Sequence, residues 1–142
     1  VSFKTNIVKH SVEIPQMRDL LNFGHTVGHA IEFLEGPSCM HGVAVARGII
    51  AESAVAQKRG LLSKKSFEVI YNAINVLHLP LKNSKRFSDA LWQQAFWADK
   101  KTKRGIPHAV LLHEIGMPYV HDGNYCHPLS LEELHLAIEM VS

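Results

Sequence analysis

Arg18, Asn22, His25 and His29 stand at relative positions 0, 4, 7 and 11, and His41-Gly42 follows twelve residues after His29. At ~100° per residue, four side chains so spaced share roughly 60° of one helix face. Leu20, Phe23, Val27, Ala30, Ile31 and Leu34 gather on the opposite side. A merely solvated face carries Lys and Glu, which bring solubility and helical ion pairs; this one carries a guanidinium, an amide and two imidazoles. Two histidines one turn apart, joined by a third from the next element, can ligate a divalent metal such as zinc, iron, copper or nickel. Cys39 is a conceivable further ligand, but its Cys-x-His spacing to His41 gives awkward short-range geometry. The plainer reading, in which each imidazole simply bonds a backbone carbonyl, suits a lone histidine better than three aligned ones. Arg18 offers a fixed fork of donors to a carboxylate or phosphate, and Asn22 can both donate to and accept from a hydroxyl. Lys4, Lys100 and Lys101 add point charges, although a single lysine is more often plain surface. Together these groups suit a small, polyhydroxylated, anionic ligand. Gly24 and Gly28 lie in the same stretch, and each costs ~1 kcal/mol relative to Ala inside a helix. Their presence predicts close backbone approach to something.

The elements that position these residues read mostly as helix. Residues 3–12 form a first helix ended near Pro15, and residues 17–35 a second stopped by Gly36-Pro37. Residues 41–59 form a third, apolar almost all round and therefore central, with Gly60 as its stop. Ser63 caps a fourth, whose stripe is Phe67, Ile70, Ile74 and Leu77 and which ends before Pro80. Ser88 opens a fifth with Leu91, Trp92, Ala95 and Phe96, running into the basic segment Asp99–Arg104. After Gly105-Ile106-Pro107, residues 108–113 read as a buried strand and 119–121 as a short second one. Ser130-Leu-Glu-Glu133 is a capping box opening a last helix to about Val141. The class is therefore mainly α, with a small β element near 108–121.

The chain has 142 residues, 46% of them hydrophobic and 20% charged, enough for one globular domain with a real core. A formal charge of +2, with scattered basic residues, argues against nucleic acid. There is no apolar run of 18 residues, which argues against a membrane span. Cys39 and Cys126 lie far apart and form no CxxC pair, which favours a reduced, cytoplasmic setting. No glycine-rich nucleotide fingerprint is present.

The string Arg18-Asp-Leu-Leu-Asn22-Phe-Gly-His25-Thr-Val-Gly-His29-Ala-Ile-Glu32, followed by His41-Gly42, closely resembles the signature of the 3-dehydroquinate synthase family. Lys4 lies fourteen residues before Arg18, where that family also has a functional lysine, and Asp99-Lys100-Lys101 with Ala109–Leu112 and Ile115-Gly116 matches a later block. The similarity runs in register over residues 3–116. It implies that residues 1–142 are a single multihelical domain, the C-terminal half of an enzyme whose N-terminal α/β domain binds NAD. The implied activity is that of a carbon–oxygen lyase. It converts 3-deoxy-arabino-heptulosonate 7-phosphate to 3-dehydroquinate and phosphate, in the shikimate route to aromatic amino acids. The implied cofactors are zinc, or another divalent metal such as Co2+, and NAD held mainly by the other domain. A homodimer is implied for the complete enzyme, and no turnover for this domain alone.

Carried over residue by residue, the resemblance makes His25 and His41 metal ligands, with a third ligand, a glutamate, in the segment that precedes this domain. Arg18 and Asn22 bind the substrate's carboxylate and hydroxyl region. His29 faces substrate and handles protons around the phosphate, Lys4 joins that shell, and one of Lys100 and Lys101 closes over the ligand. The chain departs from the family pattern at Val43, where Glu is usual, at Arg47, where an apolar residue is common, and at Lys9-His10-Ser11, where acidic residues are usual. A carboxylate near a ligating histidine orients the ring, so Val43 leaves the orientation of His41 open. Other readings are a different sugar-phosphate cyclase, a metal-dependent alcohol dehydrogenase domain lacking the Arg18/Asn22 anion shell, and a helical module without activity.

Overall fold

The computed structural model describes residues 5–6, 15–98 and 105–142. Its central element is the helix His41–Lys58, which we call α2 after the preceding α1 (His25–Glu35). Small side chains let neighbours close on α2 from several sides, and Ala44, Ala51, Val55 and Ala56 lose all contact with solvent. Helices α3 (Lys64–Asn75), α4 (Asp89–Ala98) and α5 (Leu131–Val141) follow along the chain. Val27, Ala30 and Ile31 of α1 join Trp92, Ala95 and Phe96 of α4 and Leu134, Ala137 and Val141 of α5 in one apolar core around α2. Within it, Trp92 stacks on Phe96 with ring centres 5.8 Å apart. Among the described residues no helix is long and apolar enough to cross a membrane.

The main correction concerns the helix expected over 17–35. Residues Pro15–Asn22 form a 3-10 helix, and a turn through Phe23-Gly24 separates it from α1. Gly24 has φ +79°, a left-handed conformation that glycine adopts without a Cβ clash. It is therefore the N-cap of α1, not a residue within the helix. The helix expected over 3–12 lies largely outside the described residues, where only Thr5 and Asn6 are seen, both helical. The basic segment 99–104 also lies outside them.

The other helices keep nearly the bounds that the sequence predicts, with smaller differences in their stripes. Gly60 follows α2 with φ +72°, and the Ser63 hydroxyl accepts from the Ser66 N–H to cap α3. Leu77 falls beyond the end of α3 and is exposed, and Leu91 of α4 is likewise exposed. Arg47 is buried without disrupting α2. Its guanidinium donates to Glu35 (3.0 Å), to Asn83 Oδ1 (3.3 Å) and to the Pro80 carbonyl (2.6 Å).

The expected strand over 108–113 is two strands, β1 (His108–Val110) and β2 (Leu112–Glu114), divided at the buried Leu111. β2 pairs antiparallel with β3 (Met117–Pro118) across a turn at Gly116, whose φ is +80°. β1 pairs antiparallel with β4 (Cys126–Pro128), an element that no local pattern announced. Residues 119–121 are not a strand; His121 forms an isolated bridge to Asn124.

The capping box of α5 is present, and it also joins α5 to the end of α2. Glu133 accepts from the Ser130 N–H (2.8 Å) and from Arg59 Nη2 (2.8 Å). The Arg59 hydrogen bond, with help from Ser130, overcomes the effect of burial and lowers the Glu133 carboxyl from 4.5 to about 2. A carboxyl depressed on folding stabilises above its unfolded value and loses that contribution as pH falls through its folded value. Glu133→Gln should therefore destabilise the chain at pH 7 by about 2 kcal/mol. Thermal unfolding of parent and variant should converge as pH falls from 4.5 to about 2.

Candidate active site

The first turn of a helix leaves backbone N–H groups without partners, and a glycine N-cap has no side chain to satisfy them. In α1 that task falls to Glu52, a fully buried residue of α2. Its carboxylate accepts from the N–H groups of Gly24 (2.7 Å), Thr26 (3.1 Å) and Val27 (3.3 Å). Negative charge at a helix N-terminus also meets the positive end of the macrodipole. The Thr26 hydroxyl donates to the His108 carbonyl (2.7 Å), tying the same turn to β1. Where the sequence reads as apolar all round, α2 thus carries a buried acid, and its signal is a lone Glu among alanines.

What the glycines approach is the backbone of α2. A Cβ on Gly28 would lie 3.2 Å from the Ala44 carbonyl oxygen, and one on Gly48 only 1.9 Å from the Gly24 carbonyl oxygen. The two helices therefore cross at backbone contact, and this crossing sets the distance between His25 and His41.

His25 opens α1, His29 follows one turn later, and His41 is the first residue of α2. Ring centres lie 5.4 Å apart for His25 and His41, 5.5 Å for His25 and His29, and 6.2 Å for His29 and His41. The His25 ring bonds the Phe23 carbonyl through Nδ1 (3.1 Å). A carbonyl only accepts, so Nδ1 holds the proton and Nε2 is the basic nitrogen. His41 Nδ1 likewise meets the Glu32 carboxylate at 2.9 Å. Two imidazoles bound to one tetrahedral metal through nitrogens at ~2.0–2.1 Å place their ring centres roughly 5 Å apart. The observed 5.4 Å matches that arrangement, and the donor set suits a borderline metal such as zinc or cobalt. Among the described residues no group of three His, Cys, Asp or Glu side chains is placed to hold a metal ion, so His25 and His41 could supply two positions of such a site. Cys39 joins no such group; burial and then Glu35 raise its thiol to about 11.

The polar stripe is assembled differently from the expectation. Arg18 and Asn22 lie on the 3-10 segment, Arg18 exposed and Asn22 half-buried. Residues four apart in a 3-10 helix are turned by ~120°, so these two do not share one face with the histidines as a continuous α-helix would require. They precede the Gly24 turn that leads into His25. Lys4, Lys100 and Lys101 lie outside the described residues. Glu32 is the residue that sequence reasoning passed over. It falls seven positions after His25 and three after His29, which places it on their face of α1.

The model of the 3-dehydroquinate synthase C-terminal family matches residues 1–102. The chain belongs to this family. Its similarity to curated 3-dehydroquinate synthases is 37% identity over 114 residues for the one from Desulforamulus reducens. It is 39% over 119 residues for one from Streptococcus pneumoniae (strain JJA) and 36% over 121 for one from Aliivibrio fischeri (strain MJ11). These alignments cover 80–84% of this chain but only 32–33% of the relatives, so the chain spans about one third of their length. Among solved structures it resembles 2-deoxy-scyllo-inosose synthase complexed with carbaglucose-6-phosphate, NAD+ and Co2+. There the TM-score is 0.75 at 22% identity, covering 84% of this chain and 34% of that one. It also resembles 2-epi-5-epi-valiolone synthase from Streptomyces hygroscopicus subsp. jinggangensis with NAD+ and Zn2+ bound. Here the TM-score is 0.72 at 25% identity, covering 94% and 36%.

For this member of the family, the crossing of α1 and α2 is the feature most open to test. Gly→Ala inside a helix ordinarily stabilises by ~1 kcal/mol. Gly48→Ala should instead destabilise by about 3 kcal/mol, because the methyl group meets backbone that cannot yield. Urea denaturation of the two proteins measures the sign directly.

Proposed function

We propose that this chain is the metal- and substrate-binding part of a 3-dehydroquinate synthase, converting 3-deoxy-arabino-heptulosonate 7-phosphate to 3-dehydroquinate and phosphate. The observation that carries this reading is the convergence of His25, His29 and His41, with centres 5.4–6.2 Å apart, in a chain of this family. The curated relatives favour the dehydroquinate branch over other sugar-phosphate cyclases, and so does the presence of both Arg18 and Asn22.

His25 and His41 would hold a zinc or cobalt ion through Nε2, with a carboxylate from an N-terminal NAD-binding domain as third ligand. Such a metal would supply a Lewis acid beside a substrate hydroxyl, and NAD held by the N-terminal domain would supply a hydride acceptor and donor for the carbon that bears it. Arg18 binds the substrate carboxylate through paired N–H donors, which fixes the sugar acid by one end. Asn22 orients a ring hydroxyl. His29, one turn from His25 and on the same side of α1, holds or delivers a proton at the phosphate oxygen as that group departs. Lys4 and one of Lys100 and Lys101 complete the anion shell. The working enzyme is a cytoplasmic homodimer, and this chain alone has no turnover.

The test joins the chain with an N-terminal NAD-binding half, adds NAD and zinc, and follows phosphate release from the heptulosonate phosphate. His25→Ala should lower turnover at least ~100-fold, since loss of a ligand exceeds the 10–100-fold effect of losing a ligand's orienting partner. A folded, NAD-bound protein that releases no phosphate overturns the reading.

A further inference from the structure

His41 is held by Glu32, a residue of the family string to which the resemblance assigns no role. Position 43, where a carboxylate is usual in the family, carries a buried valine here. The carboxylate that meets the His41 ring comes instead from Glu32, on the other helix of the crossing, at 2.9 Å from Nδ1. No other acid on that stretch of α1 is available for this contact. Glu35 is engaged by Arg47 Nη1 (3.0 Å) and the Ser84 N–H (2.9 Å).

We propose that Glu32 is a positioning residue that fixes the tautomer and angle of His41, so that Nε2 presents its lone pair to a metal. The inference rests on reading His25 and His41 as metal ligands. An ionised carboxylate can only accept, so the proton of a neutral His41 ring sits on Nδ1 and the basic nitrogen is Nε2. The backbone does the same for His25, through the Phe23 carbonyl. The two rings thus use one device: each has Nδ1 anchored by an oxygen acceptor. Ring centres at 5.4 Å fit that use. A purely stabilising role is a poor account of the pair. The side chains of His41 and Glu32 are 58% and 29% exposed, and ion pairs in that setting add little to stability. The carboxylate also lies near the start of α2, whose N-cap Met40 has no side-chain cap. A simple dipole contact would act on the helix and not on the ring tautomer, so the two roles separate by measurement.

The experiment uses the chain assembled with its NAD-binding half, with Co2+ alone as probe, and compares the parent with Glu32→Ala and Glu32→Gln. Ring nitrogen shifts of His41, read by NMR without metal, should show Nδ1 protonated in the parent. In Glu32→Ala they should move toward the Nε2-protonated form, and cobalt affinity in a competition titration should fall 10–100-fold. Glu32→Gln keeps an oxygen acceptor and should preserve the tautomer, with a smaller loss of affinity. Unchanged tautomer and affinity in a folded Glu32→Ala protein overturn the proposal, whatever happens to turnover. Equal losses of affinity in both variants with no change of tautomer also overturn it, as they mark a charge effect alone. A parent protein that binds cobalt yet releases no phosphate counts against the synthase reading and not against the role of Glu32.

Discussion

The carboxylate of Glu52 at the start of α1 is the contact on which the histidine geometry depends. It lies wholly out of water and accepts three backbone N–H groups from a helix that begins 27 residues earlier in the chain. A buried carboxylate is tolerated only where hydrogen bonds replace its lost hydration. Here the first turn of α1 supplies them, and the helix end in turn loses its unsatisfied donors. Each group therefore answers the other's desolvation, and the pairing has one geometry. Because His25 is the first residue of that turn, the position of its ring follows from the position of Glu52.

The remaining freedom of α1 is its slide and rotation along α2, and packing removes both. Gly28 and Gly48 bring the two backbones into contact, so the helices interlock without intervening side chains. At the far end of α1, the buried Arg47–Glu35 pair clamps the helix to α2 and to the segment near Pro80. Thr26 secures the near end to β1. With both ends and the crossing fixed, His41 at the start of α2 can face only the side of α1 that carries His25, His29 and Glu32. Among the described residues, two packed helices set where the three histidines stand.

Much of this was legible in the sequence for physical reasons that are local. Caps such as Ser63 and the Ser130–Glu133 box act over three residues, and the bounds of α3 and α5 follow from them and from apolar periodicity. The histidines were legible because helical spacing puts His25 and His29 one turn apart. Contacts that span the chain were not. The acid that caps α1 lies 28 residues beyond Gly24, and the partner of β1 begins 16 residues after β1 ends. The break at Gly24 was hidden by the same fact: a glycine in a helical pattern reads as a tolerated weak residue until a distant carboxylate makes it a cap. Arg18 and Asn22 were therefore given the face of a helix that stops short of them, although their place in the chain beside the site stands.

Two of the positions that depart from the expected pattern, Val43 and Arg47, lie among the described residues and can be weighed together. Val43 and Arg47 are four residues apart on α2, so they occupy one face of it, and both are buried. An arginine there would be intolerable unpaired; Glu35, Asn83 and the Pro80 carbonyl satisfy it. Burial raises the Glu35 carboxyl, but the Ser84 N–H, then Cys39 and then Arg47 together hold it below its usual value. This face thus carries an apolar side chain at 43 and a charge at 47 that is neutralised within the chain. The features that fix the histidines lie on other positions: Glu52 and Gly48 on α2, Gly24, Gly28 and Glu32 on α1 and the turn before it. Val43 and Arg47 therefore support α1 from beneath, apart from the contacts that bring His25 and His41 together.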